Sequence, residues 1–107
     1  MEFYSDDAIL VVMPDKKASG KKQIRQAVVA IAEYFNHSLE VSQGEMVVLE
    51  SGKTALVVAN TVVKANQKTD SPYIQNRKAT YVFERQANDE WLCIIDNSYG
   101  TDLLQDV

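Results

Sequence analysis

The sequence predicts an α+β fold in which a curved antiparallel sheet packs on one main helix. One stretch has the three- and four-residue spacing of an amphipathic helix, and most of the rest consists of short β-rich runs separated by turn residues. With 107 residues, 46% of them hydrophobic and 24% charged, the chain is expected to form a single domain over residues 1–107.

The helix is predicted over residues 21–37, after a first strand at residues 8–13 and a turn at residues 14–17. Ser19 or Gly20 is the expected N-cap. The apolar stripe of this helix consists of Ile24, Ala27, Val28, Ile31, Tyr34 and Phe35.

The middle of the chain predicts a hairpin with two apolar faces. Its strands are residues 39–49 and 54–64, with Ser51 and Gly52 as the expected turn. One face carries Val47, Leu49, Thr54, Leu56, Val58 and Asn60, and the other carries Met46, Val48, Ala55, Val57 and Ala59. A single helix covers one face only, so a second copy of the chain is expected on the other, giving a homodimer through the sheet.

A second hairpin, residues 77–86 and 91–100, follows a polar connection at residues 65–73 that predicts a mobile loop. We expect Gln86 to lie opposite Trp91. The pairs expected beyond it are Arg85 with Leu92, Phe83 with Ile94, Tyr81 with Asp96 and Ala79 with Ser98.

Tyr81 and Asp96 are the candidate catalytic pair, with Arg77 further along the same face. A carboxyl beside a phenol in an apolar pocket can act as a general base or hold a ligand hydroxyl. The alternative is structural, with Asp96 capping the turn at residues 97–101 through its side chain. A shift of one residue in the loop would move Asp96 to the face opposite Tyr81.

Several classes of function are not expected. The net charge of −4 opposes nucleic-acid binding, and no apolar run has the length of a membrane span. The single cysteine, Cys93, suits a cytoplasmic location and the role of a small buried hydrophobe, and His37 suits a solvated helix end. No metal or nucleotide motif occurs, so no cofactor is expected.

Three stretches resemble the nuclear transport factor 2-like superfamily, and within it the SnoaL-like families of small bacterial proteins. They are residues 4–10, with a Tyr-x-x-Asp-Ala strand entry, residues 19–25, and residues 81–86 with 91–97. The resemblance implies a cystatin-like cone whose sheet curves around helices, with a pocket at the open end and frequent dimerisation. The family normally has a long first helix before the strand entry, whereas three residues precede Tyr4 here, so an open inner surface is expected.

The resemblance implies a pocket, and its expected lining is Tyr34, Asn60, Arg77, Phe83 and Ile94. The first hypothesis for function is a binding domain for a small apolar molecule, non-catalytic or weakly catalytic. The second is an acid–base isomerase, lyase or hydrolase with Asp96 as base and Tyr81 or Arg77 as polariser. The third is a dimeric protein-interaction module.

Overall fold

The computed structural model describes residues 2–35, 37–65 and 73–104. Within these ranges the elements are β1 (Tyr4–Met13), β2 (Lys16–Ser19), α1 (Gly20–Tyr34), β3 (Glu40–Ser51), β4 (Thr54–Ala65), β5 (Tyr73–Arg85), β6 (Trp91–Asn97) and a 3₁₀ helix (Gly100–Leu103). The strands form one sheet in the order β2-β1-β6-β5-β4-β3. This confirms the predicted α+β class with one main helix, while the loop expected at residues 65–73 falls mainly outside the described ranges.

The first strand is longer than predicted and turns back as a hairpin. β1 begins at Tyr4, and residues 16–19 form β2, so Lys16 and Lys17 belong to a strand and not to the turn expected at residues 14–17. The two strands are antiparallel, with Leu10 opposite Ala18. Sequence periodicity could not identify β2, because this strand of 4 residues has one apolar member, the buried Ala18.

Helix α1 packs on this hairpin through a small core. Ile24 is fully buried with Ala8 and Ala18, and such burial of one large aliphatic side chain stabilises a fold by about 1.5–3 kcal/mol. Ser19 is the N-cap, as expected. The helix ends at Tyr34, before the predicted end at residue 37. The partly buried side chains that pack against this core are Tyr4, Leu10, Val12 and Ala27.

His37 lies beyond the end of α1 instead of in its last turn. Its φ of 58° is left-handed, and its backbone N–H donates to the Ala32 carbonyl at 2.7 Å. This is the way in which helices commonly end. The side chain is exposed, as expected.

The two faces of the sheet differ in what covers them. We call the face of the sheet on which α1 lies the inner face. Leu10 packs on the α1 core and pairs with Asp96 of β6, and Asp96 pairs in turn with Tyr81. These three residues therefore lie on the inner face. On β4 the inner face carries alternate buried residues, which are Ala55, Val57, Ala59, Thr61, Val63 and Ala65. The outer face carries the intervening residues of β4, which include Leu56 and Val58.

The β3–β4 hairpin turns at Gly52 and Lys53, since Ser51 pairs with Thr54. The expected turn at Ser51 and Gly52 is therefore wrong. The register differs from the predicted one by an even number of residues, so the predicted face assignments hold.

Every residue of β3 is exposed, because β3 is an edge strand and α1 packs on β1 and β2 at the other end of the sheet. A β-bulge lies between Gln43, opposite Thr61, and Met46, opposite Ala59. The bulge places both Gln43 and Met46 on the inner face. No helix in the described part of the chain is long and apolar enough to cross a membrane.

Candidate functional site

The β5–β6 hairpin pairs Tyr81 with Asp96, as predicted, but by a different register near the turn. The observed pairs are Arg85 with Trp91, Glu84 with Leu92, Phe83 with Cys93, Val82 with Ile95 and Tyr81 with Asp96. The predicted partners of Phe83, Arg85 and Gln86 are therefore wrong by one residue. An extra residue in β6, Ile94, forms a β-bulge that restores the predicted register beyond it.

The bulge at Ile94 also determines which side chains of β6 meet. In a regular strand, residues three apart point to opposite faces. Here Cys93 pairs with Phe83 and Asp96 pairs with Tyr81, and both partners are on the inner face. The bulge therefore brings the Cys93 thiol and the Asp96 carboxyl to one side of the sheet.

The start of β1 joins the same place from the other side of β6. Tyr4 pairs with Cys93, and the Cys93 N–H donates to the Phe3 carbonyl at 2.8 Å. The register of β1 against β6 then shifts before the two strands pair again. This irregularity leaves the Tyr4 side chain within reach of Asp96.

The Tyr4 hydroxyl donates a hydrogen bond of 2.5 Å to Oδ2 of Asp96. Burial raises the pKa of Asp96 above the ordinary value of a carboxyl, and the hydrogen bond from Tyr4 opposes part of that rise. Burial, followed by the hydrogen bond and charge of Asp96, raises the pKa of Tyr4 well above its ordinary value. At neutral pH Tyr4 is thus a fixed hydrogen-bond donor.

Tyr81 continues this arrangement across β4 to the edge strand. Its hydroxyl lies 3.4 Å from Oγ1 of Thr61 and 3.5 Å from Nε2 of Gln43. Both contacts are long for hydrogen bonds, so the Tyr81 hydroxyl is only loosely held. We call Tyr4, Asp96, Tyr81, Thr61 and Gln43 the polar row of the inner face.

Cys93 is fully buried, as the sequence predicted. Burial and then the neighbouring Asp96 charge raise the pKa of its thiol to about 12. A thiol needs a low pKa and exposure to act as a nucleophile. Cys93 is therefore a packing residue of the site.

Asn97, and not Asp96, caps the turn after β6. Its Oδ1 accepts the N–H groups of Tyr99 and Gly100, each at 3.1 Å. Its Nδ2 donates to the Gly100 carbonyl at 3.1 Å and to Oγ1 of Thr80 at 3.2 Å. The structural alternative for Asp96 is thus wrong, and its carboxyl is left to the inner face.

Arg77 lies on the inner face opposite Thr61, further along β5 from Tyr81. Its guanidinium donates to Oγ of Ser98 at 3.0 Å and to Oε1 of Gln75 at 2.9 and 2.6 Å. The same group lies 4.4 Å from the centre of the Tyr99 ring. These contacts turn Arg77 toward the end of β6.

Two of the residues predicted to line the pocket do not join the polar row. Asn60 pairs with Lys78 on the outer face, because it alternates with the buried Thr61. Tyr34 is 77% exposed at the end of α1, where its ring meets that of Phe35 edge to face. The α1 stripe therefore does not carry Tyr34 into the site.

Phe83 and Ile94 lie closer to the row. Phe83 is on the inner face, with its ring edge to face against Phe3 at 5.5 Å. Ile94 is the half-buried bulge residue. Their predicted contact with each other is replaced by the pair of Phe83 with Cys93.

The sequence pattern does not indicate Tyr4, Thr61 or Gln43 as site residues. Tyr4 was visible only as the first residue of the Tyr-x-x-Asp-Ala entry, and its role depends on the irregular pairing of β1 with β6. Thr61 and Gln43 have no sequence signal, because a bulge in β3 decides the face on which Gln43 lies.

The polar row offers a carboxyl, two phenols, a hydroxyl and an amide on a largely apolar face, a combination that suits proton transfer or hydrogen bonding to an apolar ligand. Within the described ranges, no three side chains of His, Cys, Asp or Glu lie together as metal ligands.

The fold is cystatin-like. The sequence matches the SnoaL-like domain over residues 1–93, and the chain belongs to this family. No curated protein sequence matches it.

Solved structures agree on the fold. A putative ketosteroid isomerase from Shewanella frigidimarina superposes with a TM-score of 0.72 at 12% identity, over 87% of this chain and 73% of that one. A protein with a cystatin-like fold from Caulobacter vibrioides gives 0.74 at 14% identity, over 89% and 68%. The CaMKII hub of S. rosetta gives 0.72 at 17% identity, over 89% and 74%.

Proposed function

We propose that this protein is a binding domain for a small apolar molecule, held on the inner face and either unchanged or slowly converted. The polar row carries the proposal: its few polar groups converge on a floor of small buried residues, Ala55, Ala59 and Ala79 among them. Ligand sites commonly combine an apolar lining with a few placed polar groups. The proposed ligand is a single small molecule and not a nucleic acid.

A pair of adjacent valines on β3 tests where the ligand binds. Val48 is on the inner face and 55% exposed, and Val47 is on the outer face and 49% exposed. An exposed side chain tolerates enlargement, so both Val48→Trp and Val47→Trp should fold. We expect Val48→Trp to weaken binding of 1-anilinonaphthalene-8-sulfonate, measured by its fluorescence, and Val47→Trp to leave it unchanged. The reverse result would place apolar binding on the outer face and contradict the proposal.

A catalytic role is the second candidate. The observation that favours it is the raised pKa of Asp96, since a general base works best with a pKa near the working pH. Asp96 would be the base and Tyr81 the polariser. Because ketosteroid isomerase-like proteins share the fold, enolisable ketones are the substrates to try first, and Asp96→Asn should then abolish turnover without loss of folding.

A protein-interaction role is the third candidate, and the outer face favours it. Leu49 is 58% exposed, Val58 37% and Ile95 38% on this face. Exposed apolar patches often mark protein interfaces. A homodimer through the outer face would cover this patch and leave the inner face to the ligand, and the hub of S. rosetta shows that this fold also occurs in a protein named as a hub. We also propose a cytoplasmic location, which the single cysteine suits.

A further inference from the structure

The two oxygens of the Asp96 carboxyl are not equivalent. Oδ2 accepts the hydrogen bond from Tyr4. Among the described residues, no side chain donates to Oδ1. A carboxylate has about four acceptor positions, so this carboxyl has unused capacity.

Oδ1 is not completely buried. In the described part of the chain, no completely buried side-chain nitrogen or oxygen lacks a hydrogen-bond partner. Because Oδ1 has no partner there, it cannot be completely buried. The Asp96 side chain is therefore half-buried, with Oδ2 held by Tyr4 and some exposure left at Oδ1.

The groups around Asp96 add no positive charge. Tyr4 faces the carboxyl from β1, Cys93 from its own strand and Tyr81 from β5. The α1 residues that pack in the core with Tyr4 and Leu10 are Ile24 and Ala27, which are apolar, and the α1 cation Lys21 pairs with Asp6 instead. Among these neighbours, the hydroxyl of Tyr4 is the group that favours the charged carboxylate against the cost of burial.

We propose that Tyr4 is the positioning residue of the site: it holds Oδ2 so that Oδ1 accepts a hydrogen bond from the ligand, and the inner face therefore selects apolar molecules that carry an O–H or N–H donor. A carboxylate only accepts hydrogen bonds, so an apolar ligand that presents only acceptors leaves Oδ1 unpaired. The Tyr81 hydroxyl, loosely held beside it, serves a second polar atom of the same ligand. This inference rests on the proposed function, since it names the class of ligand that the inner face binds.

The role of Tyr4 is tested without any ligand, by following the carboxyl carbon of Asp96 by NMR as the pH is changed. Tyr4→Phe keeps the ring, with its packing, and removes the donor. We expect the pKa of Asp96 to rise in this variant. Tyr99→Phe is the matched control, because its hydroxyl donates to the backbone carbonyl of Val12 and not to Asp96, and it should leave the titration unchanged. An Asp96 pKa that is unchanged or lower in Tyr4→Phe overturns the role of Tyr4.

The ligand class is tested with 2-naphthol and 2-methoxynaphthalene, which share a ring system and differ in the hydrogen-bond donor. At a pH above the pKa of Asp96, we expect the wild-type protein to bind 2-naphthol at least about tenfold more tightly, the usual value of a hydrogen bond to a charged group. Equal binding of the two probes overturns the selectivity and leaves the proposed function standing. If neither probe binds at millimolar concentration, both the proposed function and the selectivity are rejected.

Discussion

Asp96 and Asn97 are adjacent residues of similar size that have different structural roles. Asn97 satisfies the backbone of the turn, while Asp96 faces the apolar inner side with Tyr4 as its partner. From sequence, an acid and an amide at the end of a strand are equally good caps. Which of the two residues faces the inner side depends on the bulge at Ile94, and no local sequence pattern predicts the position of that bulge.

Stability measurements should separate these two roles. Asn97→Ala removes four hydrogen bonds at a buried position, so we expect it to lower the free energy of unfolding by about 2–4 kcal/mol. Asp96→Asn at neutral pH should change it by less than about 1 kcal/mol. Urea unfolding of both variants measures the difference, and a larger loss for Asp96→Asn would return the capping role to Asp96.

The raised pKa of Asp96 predicts a specific dependence of stability on pH. The folded state then holds the Asp96 proton more tightly than the unfolded chain, so the contribution is fully present below the unfolded pKa. It is lost as pH rises through the folded pKa. Wild type should therefore lose stability relative to Asp96→Asn as pH rises from about 4, the ordinary carboxyl value. A difference between the two proteins that stays constant, or that changes in the opposite sense, would show that Asp96 titrates normally.

At the scale of elements, regular patterns were predictable and irregularities were not. The apolar stripe identified α1, and β-rich runs around turn residues identified the two hairpins and the faces of β3 and β4. The bulges in β3 and β6 and the short strand β2 were not predicted, because each depends on pairing with another strand and not on a local pattern. These irregularities are what assemble the polar row, so the fold was more predictable than the site.

Two glycines with left-handed backbone give a matched test of the turn that follows β6. Gly100 has φ 57°, and an added Cβ would lie 2.0 Å from the Lys78 carbonyl oxygen. Gly52 has φ 59° with nothing within 4 Å. Gly52→Ala should cost about 1–2 kcal/mol, the backbone cost alone. Gly100→Ala should cost more, since a backbone atom must also move.

Thermal or urea unfolding compares the two glycine variants directly. The expected order is wild type, then Gly52→Ala, then Gly100→Ala. Equal losses for the two variants would mean that the turn after β6 adjusts without strain, contrary to its tight packing against β5.

At the scale of the whole molecule, one sheet offers two apolar faces, of which α1 covers only the β1–β2 end of one. This excess was predictable from the composition of residues 39–64, which is apolar on both sides of the hairpin. The sequence also predicts a homodimer through the sheet, but it does not indicate which of the two faces forms the interface, because both are apolar. The outer face remains our proposed homodimer surface, and the inner face the proposed binding surface.

The dimer prediction concerns adjacent residues of β3. Val47→Glu places a charge in the outer apolar patch and should shift a dimer toward monomer, since burying an unpaired charge is costly. Val48→Glu, on the inner face, should leave the dimer intact. Sedimentation velocity at micromolar concentration measures both. A wild-type monomer, or equal effects of the two variants, would contradict an interface on the outer face.

The central claim, that the polar row is a ligand site, is tested most directly by mapping 2-naphthol onto the wild-type protein by NMR. We expect saturable chemical-shift changes at Thr61, Tyr81 and Asp96, and little change at Leu56 and Val58 on the opposite face of the sheet. Changes confined to Leu56, Val58 and their outer-face neighbours would contradict the claim.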